Sequence, residues 1–214
     1  MWPQAAPPSY GGTGFIAQTD SEAILWTCQC FLYHTTDTIN WTLRTVGFAG
    51  NCGVKSVRYL NSNEWAITGC CSLTTLSTDT IHWIFRTTAG ASNTIINGMV
   101  YGNGIYMAAG HCCQYIATST DSFHWTKRTR STSMNGDSNP YTPAFGNGMF
   151  IVSVYQGYGY STDAINWEAT GSTISGHYKF APCFNKCVNS FVAVDYYLNI
   201  DMSDDGITLS LIHI

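Results

Sequence analysis

Short apolar runs alternate along the chain with clusters of Gly, Asn, Ser and Asp, and residues 99–129 show the clearest unit of this pattern. Residues 99–101 and 105–109 read as two strands joined by a Gly-Asn-Gly turn. Residues 114–118 and 124–129 read as two further strands joined by a polar turn. The pattern predicts a meander of four antiparallel strands, A to D, and no stretch of the chain has helical periodicity.

The same plan recurs near residues 59–67, 145–152 and 188–194, together with a repeated seven-residue phrase. The phrase is Ser-Thr-Asp-Ala-Ile-Asn-Trp at residues 161–167, its copies follow at intervals of 42 residues, and the last copy, at residues 203–208, is incomplete. Its defining residues are Asp37 and Trp41, Asp79 and Trp83, Asp121 and Trp125, Asp163 and Trp167, and Asp205. A fixed period of this length predicts supersecondary units that bury their apolar faces by stacking on one another.

Four strands within one period match the size of a β-propeller blade, which is ~40–45 residues in one propeller class. We predict an all-β β-propeller of four-stranded antiparallel blades, with residues 1–208 forming a single repeat domain. Its units should end near Thr45, Thr87, Thr129 and Thr170, followed by a truncated fifth unit. A flat or solenoidal stack of meanders is the alternative, but radial packing limits the exposed sheet edges.

The residues of the repeated phrase are suited to holding a turn together. An Asp side chain can accept hydrogen bonds from backbone N–H groups two or three residues later, and this fixes the turn between strands C and D. The Ile or Phe two residues after the Asp and the Trp four residues after it should lie on one side of an extended chain, where both can pack inside or against the next blade. Arg44, Arg86 and Arg128 follow the Trp by three residues, where a guanidinium can stack on an aromatic ring or pair with a carboxylate.

The phrase resembles the Asp-box, or sialidase-type, repeat of β-propeller blades, whose pattern is Ser/Thr-x-Asp-x-Gly-x-Thr-Trp. The spacing from Asp to Trp is one residue shorter here and Gly remains only at Gly206, so the chain is closer to the variant Ser-x-Asp-Gly-x-x-Trp of bacterial and phage tail-associated propellers. The resemblance covers nearly the whole chain and is specific for the fold. It implies that the box lies on the rim away from the ligand face and is not catalytic.

The end of the chain departs from the repeat. Leu209 stands where the period places a fifth Trp, and the final Leu-Ser-Leu-Ile-His-Ile resembles a translated sequencing adapter. We therefore expect residues 209–214 to be a non-native tail and the chain to be an incomplete propeller of about five blades, without its last D strand. A natural final strand is the alternative, because these residues are apolar and favour β-structure.

Charge and cysteine content restrict the function classes. Nine Lys and Arg against thirteen Asp and Glu give a net charge of −4 with no basic run, which argues against nucleic acid as a partner. The apolar runs are shorter than the ~20 residues of a spanning helix, so no membrane span is expected. Residues 1–8 do not read as a signal peptide. Nine cysteines, two adjacent pairs among them, indicate assembly in a reducing compartment, such as a bacterial or phage-infected cytoplasm.

The candidate ligand face follows from the edges of the meander. The A–B and C–D turns share one edge, and the Asp phrases are there, so the sequence assigns the ligand face to the opposite edge. The candidate binding residues are Arg58, Tyr101, Tyr141, Tyr155, Tyr158, His177, Lys179 and Tyr196. Tyrosine rings suit sugar or protein surfaces, and the basic residues suit an anionic or hydroxylated ligand. Tyrosines that simply fill half-exposed strands, and solvated surface charges, are the alternative.

A metal site is the weaker interpretation of the cysteines. Those in phase with the repeat, or next to such a position, are Cys28, Cys30, Cys70, Cys71, Cys112 and Cys113, with His111 alongside. Thiolates on one zinc must converge to ~2.3 Å, whereas packed sheets are roughly 10 Å apart. We therefore expect small buried hydrophobic residues, no metal and no cofactor.

Three functions remain open. The first is a non-enzymatic binding or structural propeller with a carbohydrate or protein ligand, which the resemblance associates with a phage particle or bacterial surface. The second is a sialidase-like glycoside hydrolase, which would need three convergent arginines and a Tyr nucleophile with a Glu partner; only Arg58 and Arg130 lie outside the repeated positions. It would therefore need catalytic residues in blades missing from this chain. The third, a photosystem assembly scaffold, would need a basic patch, and the acidic balance argues against it.

Overall fold

The computed structural model describes residues 15–26, 31–44, 46, 53–60, 62–88, 94–111, 115–129, 142–154, 157–169, 182–194, 200–208 and 210–212. These residues form twenty strands and no helix. In chain order the strands are β1 Phe15–Gln18, β2 Ala23–Trp26, β3 Leu32–Thr35, β4 Thr42–Arg44, β5 Val54–Leu60, β6 Glu64–Gly69, β7 Leu73–Ser77, β8 Ile84–Thr87, β9 Ile95–Gly102, β10 Ile105–His111, β11 Tyr115–Ser119, β12 Thr126–Arg128, β13 Pro143–Gly146, β14 Met149–Val154, β15 Gly157–Ser161, β16 Glu168–Ala169, β17 Cys183–Asn185, β18 Ser190–Val194, β19 Ile200–Ser203 and β20 Ser210–Ile212.

Each consecutive set of four strands is one antiparallel sheet in which neighbours in sequence are neighbours in space. We call these sheets blades 1 to 5. In blade 3, Tyr106 of β10 pairs with Tyr101 of β9 on one side and with Ser119 of β11 on the other. The meander predicted from residues 99–129 is therefore confirmed, and its first strand begins earlier than predicted, at Ile95.

The blades are arranged with their first strands side by side. β1 lies next to β5, β5 next to β9, β9 next to β13, and β13 next to β17. The fourth strand of each sheet is an outer edge. This is the radial order predicted for propeller blades, and it excludes a flat row of meanders, because the inner strands gather around a common cavity.

Hydrophobic clusters fill the space between successive blades. Trp65 of blade 2 is fully buried against blade 1, and Met107 of blade 3 is fully buried with Phe150 of blade 4. Met99 lies between blades 2 and 3, and Phe191 between blades 4 and 5. Burial of a side chain of this size contributes about 1.5–3 kcal/mol. Both faces of most blades are buried, which explains why their strands are apolar at successive positions rather than at every second one.

Two close contacts between a glycine and an aromatic ring, and the amide side chain of Asn103, also join the blades. A Cβ on Gly102 would overlap the Phe145 ring of the next blade, and a Cβ on Gly146 would overlap Phe184 in the same way. Asn103, in the A–B turn of blade 3, donates its Nδ2–H groups to carbonyl oxygens of blade 4 at 3.0 and 2.9 Å. The A–B turns and the Asp phrases of neighbouring blades are thus connected along one edge of the molecule.

The last strand corrects one expectation. β20 pairs with β19 through Ile212 and Ile200, Leu211 and Asp201, and Ser210 and Met202. The prediction that the fifth unit lacks strand D is therefore wrong, because apolar residues that favour β-structure take that place beside β19. The foreign origin of residues 209–214 stays a prediction.

Candidate functional site

The repeated phrases form identical turns, which we call the Asp turns: residues 35–41, 77–83, 119–125, 161–167 and 203–208. In the first of them, Asp37 Oδ1 accepts the N–H groups of Ile39 at 2.9 Å and Asn40 at 2.7 Å. Asp37 Oδ2 accepts the Asn40 side chain at 2.6 Å. The Thr35 hydroxyl donates to Asp37 Oδ1 and accepts the N–H of Thr38. The predicted hydrogen bonds of the repeated Asp are therefore present.

The hydrogen bonds of the Asp turns favour charged carboxylates. They hold the pKa of Asp205 at about 2, with the N–H of Thr208 contributing most. For Asp163, burial alone would raise the pKa, but hydrogen bonds from Asn166 and Ile165 outweigh it and leave the pKa at about 2. The pKa values of the other aspartates of the repeat, Asp37, Asp79 and Asp121, are also held well below their usual range by the same kinds of hydrogen bond.

His82 and His124 replace the Asn of the phrase without changing the turn. Each places Nδ1 at 2.6 Å from Oδ2 of its own turn's aspartate. Their side chains are 82% and 92% exposed. The histidines therefore take the place of the Asn side chain as the partner of Asp Oδ2 in these two turns.

The apolar residue of each Asp turn lies in a different place from the one predicted. Ile39, Ile81 and Phe123 are 59%, 51% and 60% exposed, and the equivalent residues of blades 4 and 5 are each 41% exposed. The prediction of a buried side chain was wrong because it assumed an extended chain. The residue after each Asp has a positive φ, 62° at Thr38 and 75° at Gly206, and this reverses the backbone.

The Trp and Arg of the repeat behave largely as predicted. Trp125 is buried, and its indole N–H donates to Ser122 O at 2.9 Å, closing its own turn. Arg86 of blade 2 places its guanidinium carbon 3.6 Å from the centre of the Phe123 ring in blade 3. Stacking of this kind is worth roughly 0.5–2 kcal/mol. The Asp turns are thus parts of the scaffold that tie one blade to the next.

A cavity of about 800 Å³ lies between the five inner strands, and every blade contributes to its wall. We call it the central cavity. Its lining residues are Thr19, Asp20, Arg58, Tyr59, Leu60, Met99, Val100, Tyr101, Ala144, Phe145, Gly146, Asn147, Cys183, Phe184 and Lys186. They come from the inner strands, mostly from their second halves, and from the A–B turns. The cavity is therefore at the same edge of the molecule as the Asp turns.

Arg58 is the charged group set deepest in the wall of the central cavity. It extends from β5 across to blade 4, where its Nη1–H donates to Pro143 O at 2.6 Å. Desolvation lowers the pKa of Arg58 to about 10, although the nearby Cys183 raises it, so the guanidinium stays charged at neutral pH. No carboxylate among the described residues forms an ion pair with it.

Tyr101 also lines the central cavity, and it packs on a second tyrosine. The ring centres of Tyr101 and Tyr106 are 4.6 Å apart. The Tyr106 hydroxyl donates to Glu64 Oε2 at 2.5 Å, which joins blade 3 to blade 2. Burial, followed by the hydrogen bond to Glu64, raises the pKa of Tyr106 to about 12. Tyr101 therefore presents a ring held in place by a fixed, neutral neighbour.

The prediction that Tyr158 lies on the ligand face is wrong, because its side chain is buried. Tyr158 was expected on the ligand face opposite the Asp turns, but it lies in β15, is 2% exposed, and its hydroxyl donates to Asp201 Oδ2 at 3.5 Å. Its ring belongs to the cluster between blades 4 and 5. It is buried because it lies within β15, which begins at Gly157, and both faces of this strand are covered.

The remaining candidates lie outside the described residues: Tyr141, Tyr155, His177, Lys179 and Tyr196. Their role at the opposite edge stays a prediction. Among the described members of the predicted set, the central cavity brings together Arg58 and Tyr101, and it adds Asp20, Tyr59 and Lys186. The signal for these residues was present in the sequence, since each lies within or just after an inner strand next to an A–B turn, but that edge was discounted because it carries the Asp turns.

The described residues hold no cluster of three or more His, Cys, Asp or Glu side chains that could bind a metal ion. Cys70, Cys71, Cys183 and Cys187 are free thiols. In this part of the chain, no helix is long and apolar enough to cross a membrane.

Comparison with known proteins identifies the fold. No protein-family model matches the chain, and no curated protein matches it either. Among solved structures, virginiamycin B lyase from Staphylococcus aureus superposes with a TM-score of 0.81 at 12% sequence identity, over 95% of this chain and 70% of that one. The chain is thus a β-propeller with four-stranded antiparallel blades.

Two other solved structures also match the chain. YCF48 bound to D1 peptide matches with a TM-score of 0.66 at 16% identity, over 94% of this chain and 69% of that one. A chain of the nidogen/laminin complex matches with a TM-score of 0.66 at 12% identity, over 94% of this chain and 80% of that one. At such low sequence identities, the structural superposition shows the fold alone. The function must be argued from the residues of the site.

Proposed function

We propose that the chain is a non-enzymatic binding module of the Asp-box type, and that its partner inserts an anionic group into the central cavity. The observation that carries the proposal is Arg58, a charged and partly buried guanidinium that faces this cavity without a carboxylate partner among the described residues. A buried charge is costly unless it is paired, so an incoming carboxylate would gain more here than at the surface.

The rest of the wall supports the same ligand chemistry. Lys186 and Arg58 are basic, and Asp20 is the one acidic residue among the described lining residues. Tyr59, Tyr101 and Phe184 add aromatic surface, which is common where a protein binds another protein or a sugar. The candidates at the opposite edge, Tyr141, Tyr155, His177, Lys179 and Tyr196, would then extend the binding surface along the axis of the molecule.

A protein partner is favoured over a carbohydrate. Two of the structurally similar propellers were solved with a peptide or a protein partner, D1 peptide for YCF48 and the nidogen/laminin pair. An acidic carbohydrate remains the second ligand class that the cavity chemistry would accept. Association with a phage particle or bacterial surface belongs to this proposal too, and rests on the resemblance of the repeated phrase to tail-associated propellers.

The sialidase-like alternative has less support. Such an enzyme needs convergent arginines, yet among the described arginines only Arg58 lines the cavity, while Arg44, Arg86 and Arg128 belong to outer strands. It also needs an activated tyrosine beside a glutamate. Tyr106 and Glu64 make such a pair, but the pKa of Tyr106 is raised to about 12, the wrong direction for a nucleophile.

The proposal is tested by an array that holds short peptides with a central Glu, the same peptides with Gln, and acidic and neutral glycans. The wild-type chain should prefer the Glu peptides. Arg58→Gln should reduce that preference about tenfold, the effect of losing one charge-assisted contact of roughly 1.5 kcal/mol. Arg58→Lys keeps the charge and should retain part of the preference.

Lys127→Gln is the matched control, because it removes the same charge from an exposed position on the outer strand β12. It should leave the array unchanged. Thermal melting of all variants excludes unfolding as the cause. Equal binding of Glu and Gln peptides by the wild-type chain, or an unchanged preference in Arg58→Gln, would overturn the proposal, and a preference for acidic glycans alone would assign the second ligand class.

A further inference from the structure

The outer strand of blade 2, β8, is an unusual edge. Its first two residues, Ile84 and Phe85, are 53% and 51% exposed. With 4 residues it is also longer than the described outer strands of blades 1, 3 and 4, which have 3, 3 and 2 residues. Exposed apolar residues on a sheet edge favour pairing with another chain, and proteins usually avoid them.

The repeat itself supplies the comparison. The pairing of each outer strand with the third strand of its blade identifies the residues equivalent to Ile84 and Phe85 in blades 1, 3 and 4. The residues at those positions are Thr42 and Leu43, Thr126 and Lys127, and Glu168 and Ala169. Only blade 2 is apolar at both positions within this described set. Blades 3 and 4 instead carry a charged residue there, the usual protection of an edge.

Within the described part of the chain, the outer edge of β8 is open to an added strand. β8 pairs with β7 on one side, and no strand of the described residues lies along its other side. Ile84 and Phe85 are consecutive in a strand, so they point to opposite faces of the sheet. A strand laid along β8 would therefore place two consecutive side chains against them, one on each face.

The charge beside β8 indicates what kind of segment fits. Asp79, in the Asp turn that leads into β8, has a side chain that is 42% exposed, and its pKa lies well below the usual range. Arg86, on the strand itself, is buried against Phe123. Asp79 Oδ2 contacts His82 Nδ1 at 2.6 Å, and the exposed part of the carboxylate favours a basic incoming segment. A second copy of this chain, with a net charge of −4, would bring like charges together.

We propose that the outer edge of β8 binds an extended segment of another protein by strand addition. The segment has two consecutive apolar residues opposite Ile84 and Phe85 and a Lys or Arg near Asp79. Backbone hydrogen bonds supply affinity, and the apolar and charged side chains supply selectivity. This surface is separate from the central cavity, because β8 is an outer strand and the cavity is bounded by inner strands.

The test uses the whole chain and a blocked synthetic peptide, Lys-Thr-Val-Ile-Thr-Lys, as the probe. Hydrogen exchange should show protection of residues 84–87 at saturating peptide, and fluorescence anisotropy gives the affinity. A peptide with Pro in place of Ile should not bind, because Pro cannot donate to the ladder. A peptide with Glu in place of both Lys residues should bind more weakly.

The matched variant is Ile84→Thr with Phe85→Lys, which gives β8 the residues of β12 and should keep the fold. It should weaken binding of the Lys-Thr-Val-Ile-Thr-Lys peptide by about tenfold or more. The reciprocal variant, Thr126→Ile with Lys127→Phe, should create a second protected strand at β12. Unchanged binding in the first variant, absence of protection at residues 84–87, or loss of self-association instead of peptide binding would overturn the proposal.

Discussion

The residue after each repeated aspartate has a positive φ, and it is a glycine in only one of the five Asp turns. A left-handed backbone costs an L-residue roughly 1–2 kcal/mol and costs glycine much less. Thr38, Thr80, Ser122 and Ala164 therefore occupy a conformation that suits Gly206 best. The turn is retained because the aspartate and the preceding Ser or Thr together hold its backbone N–H groups.

Thr38→Gly should stabilise the chain. Thr38 has a φ of 62° and is only partly buried, so glycine relieves backbone strain and removes little buried surface. After subtracting the entropy that glycine gains on unfolding, we expect the free energy of unfolding to rise by about 0.5–1 kcal/mol, measured by urea denaturation. Thr38→Ala keeps the strain and is the control. A loss of stability in Thr38→Gly would contradict this account of the turn.

Gly206→Ala should have the opposite effect. The φ at Gly206 is 75°, and a Cβ there would lie 2.7 Å from Ile151 Cδ1. The expected loss is about 1–3 kcal/mol, because strain and overpacking add. Urea denaturation gives the value, with Thr208→Ala as a control in the same turn, since it removes one exposed hydrogen bond to Asp205 Oδ2, at 3.2 Å, and creates no overlap. Unchanged stability would show that this turn moves freely.

The Asp turns should also make stability depend on pH in a defined window. A carboxylate with a depressed pKa stabilises the folded state above its unfolded value of ~3.9, and this stability disappears as pH falls through the folded value. For Asp163 and Asp205 that folded value is about 2. Thermal unfolding should therefore show nearly constant stability above pH ~5 and a steep loss below it.

Asp163→Asn provides the matched measurement for this window. It should be less stable than the wild-type chain at neutral pH, and the difference should shrink as the pH approaches 2, where the wild-type carboxylate also takes up a proton. A difference that stays constant from neutral pH to pH 2 would show that the charge of Asp163 contributes nothing.

At the scale of the element, the B–C turn of blade 2 is a tight hairpin with unfavourable residues. Cys71 and Ser72 have φ values of 57° and 58°, and the N–H of Leu73 donates to Cys70 O at 3.1 Å. Two consecutive positive φ values are those of a type I′ turn, which strongly prefers Asn-Gly. The Ser72 N–H donates to Thr94 O at 2.6 Å, which ties the turn to blade 3.

Cys71→Asn with Ser72→Gly should therefore raise the free energy of unfolding by about 1 kcal/mol or more. The backbone bond from Ser72 to Thr94 does not depend on either side chain and should persist. Cys71→Ser, which keeps the poor turn residue, is the control for loss of the thiol. Destabilisation by the double variant would mean that the Cys71 or Ser72 side chain makes an essential contact.

The elements themselves were predictable because the sequence repeats. Gly-Asn-Gly followed by alternating residues identified the A–B hairpins, and Asn103 and Gly104 do have the positive φ values that this turn requires. The repeated aspartate identified the C–D turns. Burial within a turn was not predictable by alternation, which holds only for extended chain, and so Ile39 and its equivalents were assigned to the wrong side.

At the scale of the whole molecule, successive blades fit together through a glycine of one blade and an aromatic ring of the next. Gly102 faces Phe145, and Gly146 faces Phe184, at equivalent places in blades 3 to 5. The sequence shows both partners, but not that they meet, since they are 43 and 38 residues apart. The central cavity was missed for the same reason, because its wall is assembled from five separate strands.

Gly102→Ala should destabilise the chain by about 1–3 kcal/mol through overlap with the Phe145 ring. Phe145→Leu, a smaller side chain, should cost less in the Gly102→Ala background than in the wild-type chain. A double-mutant cycle by urea denaturation measures this coupling, which we expect to be about 1 kcal/mol. Strictly additive effects would show that the two blades do not meet at this point.

The most direct test of anion binding in the central cavity is a crystal structure of the chain with the acidic peptide from the array that binds most tightly. We expect the Glu carboxylate of the peptide to lie in the central cavity within hydrogen-bonding distance of Arg58, at the edge that carries the Asp turns. A peptide bound only at the opposite edge, with Arg58 still bonded to Pro143 O alone, would contradict it.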